Sequence, residues 1–80
     1  MSYSGFVTYC VKNLVDEPEK IKVEEFIERG NVQVHIHAPE GEMGKIIGRS
    51  GRIINALRQC VTEMAYAKQE KAYVKVVSEG

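Results

Sequence analysis

The chain has 80 residues, 44% of them hydrophobic and 28% charged, with eleven basic and eleven acidic side chains and no formal net charge. A chain of this length makes a single domain, residues 1–80, whose small core leaves no room for a deep, enclosed catalytic cavity. The composition excludes a disordered segment, and neutrality argues against a strong nonspecific polyanion binder.

In chain order, apolar Val7, Cys10, Val11, Leu14 and Val15 recur at helical spacing and predict a helix over residues 4–16. Asp16-Glu17-Pro18 ends it, because the residue before a proline is pushed out of the helical region. Over residues 21–29, Ile21 and Val23 alternate with Lys22 and Glu24, which predicts a strand. The adjacent Phe26 and Ile27 break that alternation and predict a bulge or the end of regular pairing. Gly30-Asn31 reads as a turn. Val32, Val34, Ile36 and Ala38 then alternate with Gln33, His35 and His37, so a half-buried strand completes a hairpin.

Ala38-Pro39-Glu40-Gly41 breaks the strand, and residues 42–47 have room for one or two helical turns. The loop Gly48-Arg49-Ser50-Gly51 leads into a longer helix, residues 52–69. That helix carries one apolar stripe of Ile54, Leu57, Val61 and Ala65 and a neighbouring one of Ile53, Leu57, Cys60 and Met64. Residues 72–77, rich in Val, read as a last strand, giving the order αββααβ and an α+β fold.

Charge is unevenly spread. Residues 1–42 hold four bases against eight carboxylates, net −4, and residues 43–80 hold seven against three, net +4. Between Glu42 and Glu63 lie Lys45, Arg49, Arg52 and Arg58 with no acid among them, which suggests an interaction surface on a neutral molecule. The stretch from Gly44 to Leu57 concentrates the chemistry. Two glycines permit close approach and unusual φ/ψ. The loop they bound leaves N–H groups at the start of the second helix free to meet an anion. Arg49, Arg52 and Lys45 add full positive charges there. Ile46, Ile47, Ile53 and Ile54 supply apolar surface on either side.

The run Ile46-Ile47-Gly48-Arg49-Ser50-Gly51, followed by Ile54 and Leu57, resembles the KH-domain signature of paired aliphatics, GxxG and spaced aliphatics. Leu14-Val15-Asp16 before Pro18, Ala38-Pro39-Glu40, Met43-Gly44-Lys45 and Gly51-Arg52 are similar to the small bacterial single-KH proteins of the KhpA family. Two departures stand out: Arg49-Ser50 replaces the family's frequent Lys-Gln, and one extra residue falls at Gly41-Glu42. Arginine keeps the charge and can bind phosphate bidentately.

The resemblance implies a type II KH-like domain, a three-stranded mixed sheet packed on one side by helices. It further implies an RNA-binding protein of low sequence specificity, active in post-transcriptional regulation or envelope growth. Such domains clamp single-stranded nucleic acid at the loop. The implied site is Lys45, Ile46, Ile47, Gly48, Arg49, Ser50, Gly51, Arg52, Ile53 and Ile54. The implied partners are single-stranded RNA, a second copy of the chain in a homodimer, and a larger KH protein of the Jag type. Single-stranded DNA stays open as a substitute for RNA. The alternative function is a protein-interaction subunit, suggested by the breadth of the second helix's apolar face, where Ile53 and Met64 exceed what three strands cover.

Other readings are weaker. A nucleotide-binding P-loop needs GxxxxGK[ST] after a strand, and the spacing here is wrong. His35 and His37 share a strand face but lack further ligands, so no metal is expected and the pair reads as partly covered polar residues. Tyr66 and Tyr73 read as packing residues, and Arg58 and Lys68 as solvated surface. No nucleophile triad, Cys-His pair or paired carboxylates are found, so neither an enzyme nor a cofactor is expected. Cys10 and Cys60 form no CxxC pair and read as reduced thiols against the core. The N-terminus has no basic stretch followed by an apolar one, and no window reaches the ~18 apolar residues of a membrane helix. A cytoplasmic protein is expected.

Overall fold

The computed structural model describes residues 2–80. A helix α1 (Tyr3–Lys12) leads to a hairpin of β1 (Lys22–Glu28) and β2 (Asn31–Ala38). A short helix α2 (Met43–Ile47), a long helix α3 (Arg52–Ala67) and a strand β3 (Ala72–Ser78) follow. The strands lie in the order β1-β2-β3, with β1 antiparallel and β3 parallel to β2, so the sheet is mixed.

Local signals account for most boundaries. Ser2 caps α1 by accepting the Gly5 N–H at 3.0 Å. The helix ends at Lys12, earlier than its apolar spacing predicts. Asn13 turns its amide back onto the Tyr9 carbonyl at 2.7 Å, and Leu14 and Val15 leave the helical path. The hairpin turn is centred on Arg29 and Gly30, both at positive φ (55° and 81°), with Glu28 opposite Asn31. It thus lies one residue before the predicted Gly30-Asn31.

No bulge interrupts β1, whose register with β2 is continuous from Lys22 to Glu28. Phe26 and Ile27 project to opposite faces of an edge strand and both stay exposed, so nothing enforces an apolar alternation there. α3 ends at Ala67 in a Schellman-type closure. Gln69 takes φ 59° and the Glu70 N–H reaches the Ala65 carbonyl at 3.0 Å.

The core lies between the helices and one face of the sheet. Val32, Val34, Ile36 and Ala38 of β2 are buried in the same cluster as Val7, Val11, Ile46, Ile54, Leu57, Val61 and Ala65. The stripe of Ile54, Leu57, Val61 and Ala65 is the buried face of α3, while Ile53 and Met64 are half-buried and Cys60 is exposed. Gln33, His35 and His37 face the opposite, open side of the sheet, in rows with Phe26 and Tyr73. Tyr66, 81% exposed, and Tyr73 do not serve as core packing.

Candidate nucleic-acid interface

Five residues are too few for a helix to persist alone, so α2 depends on tertiary contacts. Ile46, at 0% exposed, anchors it in the core. It ends where the Gly48 N–H reaches the Gly44 carbonyl at 2.9 Å. Gly48 then sits at φ 80°, ψ 172°, a region closed to side chains, and a Cβ there would fall 2.7 Å from Ile53 Cγ1. Ser50 and Gly51 follow in the left-handed region, at φ 56° and 74°. The Gly51 N–H closes the turn on the Gly48 carbonyl at 3.2 Å.

α3 therefore starts at Arg52 with no side chain capping it. The Arg52 N–H turns back onto the Arg49 carbonyl, and no side chain caps the N–H groups that follow it at the positive end of this sixteen-residue helix. Arg49, Ser50 and Arg52 are exposed around this end. Among the described residues neither arginine pairs with a carboxylate. Ile47 and Ile53 are partly exposed beside the loop. Ile46 and Ile54 (4% exposed) are directed into the core and support the loop from beneath rather than offering surface.

Lys45 is differently placed. Its Nζ lies 3.2 Å from Asp16 Oδ2 and 3.5 Å from Glu42 Oε1. The Asp16 hydrogen bond and charge push the lysine pKa up. Glu42 is the one buried charged side chain among the described residues, 5% exposed, and its Oε2 accepts the Glu17 N–H at 2.7 Å. This carboxylate ties the segment after α1 to the start of α2.

Sequence reasoning treated Arg58 as solvated surface. It is exposed, and its Nε also donates to the Val74 carbonyl of the edge strand β3 at 3.2 Å.

On the flank between α1 and α3, Cys10, Leu14, Arg52, Ile53, Ala56, Leu57 and Cys60 line an open cleft of about 480 Å³, apolar but for the arginine. Both cysteines are free. Burial, and then the neighbouring Cys60, push the Cys10 thiol pKa up. On the open sheet face, His37 Nε2 lies 2.5 Å from Glu24 Oε1, and His35 packs edge-on against Phe26 with centroids 4.8 Å apart. Among the described residues no group of three or more His, Cys, Asp or Glu side chains could hold a metal ion. Nor is any helix among them long and apolar enough to cross a membrane.

A family model described as "KhpA/KhpB, KH domain" matches residues 4–76. "RNA-binding protein KhpA" of Chlamydia trachomatis serovar D is 34% identical over 74 residues, which cover 92% of this chain and 95% of that protein. The protein of the same name from Clostridium perfringens is 32% identical over 71 residues, 89% of this chain and 95% of its own length. Among solved structures, Aquifex aeolicus Era bound to GDP·AlF4− superposes with a TM-score of 0.62 at 20% identity. The match covers 96% of this chain but 31% of the Era chain. Era in complex with MgGDPNP and nucleotides 1506–1542 of 16S ribosomal RNA gives the same values. At that identity the likeness is one of fold.

Proposed function

Because the chain belongs to the KhpA/KhpB family of KH domains, we propose that it binds single-stranded RNA at residues 48–51 and the start of α3. The carrying observation is the conjunction of Arg49 and Arg52, free of carboxylate partners, with the uncapped N-terminus of α3. A phosphodiester meeting that end gains backbone N–H donors, a helix dipole and two guanidinium groups together. Gly48 and Gly51 keep side chains out of the way, and Ile47 and Ile53 offer apolar edges on which an unstacked base can rest. These contacts are to backbone and apolar surface, which favours low sequence specificity. The reading is that of a binding module, with RNA as ligand rather than substrate.

The test replaces Arg49 and Ser50 by Asp and keeps both glycines. The two side chains are exposed, and acids near a helix N-terminus are tolerated, so the melting curve should persist. RNA affinity should fall at least tenfold, about 1.4 kcal/mol. Unchanged affinity with an intact melting curve would remove the loop as the binding site.

A second proposal concerns partners. The apolar cleft between α1 and α3 favours association with another KH domain, either a second copy or a larger relative. It shares Arg52 and Ile53 with the proposed RNA site. A partner seated there meets the RNA site at those two residues, and pairing raises avidity only where partner and RNA can be held at once.

A further inference from the structure

We propose that Asp16 sets the affinity and salt dependence of the RNA site by holding Lys45 out of it. The inference rests on the RNA-binding reading above and adds to it a residue far from the loop in sequence.

Lys45 is a cation three positions before Gly48, and nearness alone would make it a phosphate ligand. Geometry directs it elsewhere. Side chains on a helix lean toward its N-terminus. The Lys45 amine accordingly reaches back one turn to Glu42, whereas residues 48–51 follow the other end of α2. Asp16, from the turn between α1 and β1, closes on the same amine at 3.2 Å. Two carboxylates around one ammonium leave the trio at net −1 beside a site that must attract a polyanion. The raised pKa of Lys45 has the same origin, with the Asp16 hydrogen bond and charge as its foremost causes.

The two carboxylates have different tasks. Glu42 is buried and also accepts the Glu17 N–H, so it is part of the scaffold. Asp16 is 76% exposed and makes its one ion pair, among the described residues, with Lys45. Removing the Asp16 charge leaves the scaffold standing. It takes the trio to net zero and frees a long, flexible stem to swing toward the incoming backbone.

The experiment measures RNA affinity against salt for the wild-type chain, Asp16→Asn, Asp16→Glu, the double variant Asp16→Asn/Lys45→Gln, and Glu28→Gln at the hairpin tip. With Arg49 and Arg52 as the two phosphate ligands, the wild-type slope of log K against log salt should be about −1.4, at about 0.7 per contact. Asp16→Asn should steepen it to about −2.1 and bind roughly threefold more tightly near 0.1 M salt. Asp16→Glu should restore the wild-type slope, and the double variant should lose the gain. Glu28→Gln changes net charge equally but touches no part of the trio, so its slope should stay at the wild-type value.

A wild-type slope already near that of three contacts would overturn the inference, since Lys45 would then be a ligand. So would an unchanged slope in Asp16→Asn, or an equal gain in Glu28→Gln. If Asp16→Asn melts well below wild type, Asp16→Ser repeats the measurement under the same criteria. A wild-type chain that binds no RNA, or an Arg49→Asp/Ser50→Asp chain that binds equally well, sinks the RNA reading itself and this inference with it. Failure confined to Asp16→Asn sinks the inference alone.

Discussion

At Gly48 the backbone occupies a region that only glycine enters freely, and a Cβ would collide with three carbons of Ile53, the nearest at 2.7 Å. Gly51 is left-handed too, but its nearest obstacle is Asn55 Nδ2 at 3.5 Å, ordinary contact. The two glycines of the loop should therefore respond unequally to alanine. Gly51→Ala should cost about 1–2 kcal/mol, the left-handed penalty alone. Gly48→Ala adds crowding to a worse backbone position and should cost roughly 2–5 kcal/mol. Urea denaturation with matched slopes would measure both, and equal costs would contradict this assignment of strain. The spacing of the glycines was plain in the sequence, but the Ile53 side chain that makes one of them indispensable was not. The ion pair of Lys45 was hidden for a similar reason, because its partner Asp16 belongs to a distant turn that only the folded chain brings near.

Between elements, the N-terminus of α1 is fastened to the end of α3. Tyr3 is buried, its hydroxyl donates to the Glu70 carboxylate, and Lys68 Nζ lies 4.5 Å from its ring centre. Burial first, and then Glu70, push the Tyr3 pKa up to about 12. A tyrosine whose folded pKa exceeds its ordinary value of about 10 adds stability that is fully present below pH 10 and is lost as pH rises through the folded value. Tyr3→Phe should thus melt below wild type at neutral pH, with the gap shrinking between pH 10 and 12. A gap constant across that window would mean the hydroxyl takes no part in holding α1. In sequence this contact was invisible, since Tyr3 read as part of an unremarkable terminus. The α3 stripe and the β2 alternation were legible because each element buries one face against the core. Where burial is weak the pattern misled: Leu14 and Val15 kept helical spacing beyond the Asn13 cap, and Phe26-Ile27 suggested a bulge in a regular edge strand.

For the whole molecule, neutrality conceals a division of charge, and the basic half contains α2, α3 and β3. A chain with extents of 35 × 22 × 20 Å and one small site gains from pairing. At micromolar concentration the protein should be at least partly dimeric by sedimentation. Ala56→Glu, which puts a charge into the apolar cleft, should shift it toward monomer. A single-chain species at high concentration, or a dimer indifferent to Ala56→Glu, would remove that cleft as the interface. The mixed sheet also orders events in time. Because β3 runs parallel to β2, with Ala72 opposite Val32, α2, the GxxG loop and all of α3 belong to one crossover. Closing a crossover of ~40 residues costs about 3 kcal/mol of chain entropy before the pairing returns anything. The hairpin of β1 and β2 closes locally and can form early, whereas the crossover waits for β3 to supply Ala72 and Val74 to the core. The loop between the two glycines is thus among the last parts of the chain to take shape, and it lasts only as long as the final strand keeps its grip on the sheet.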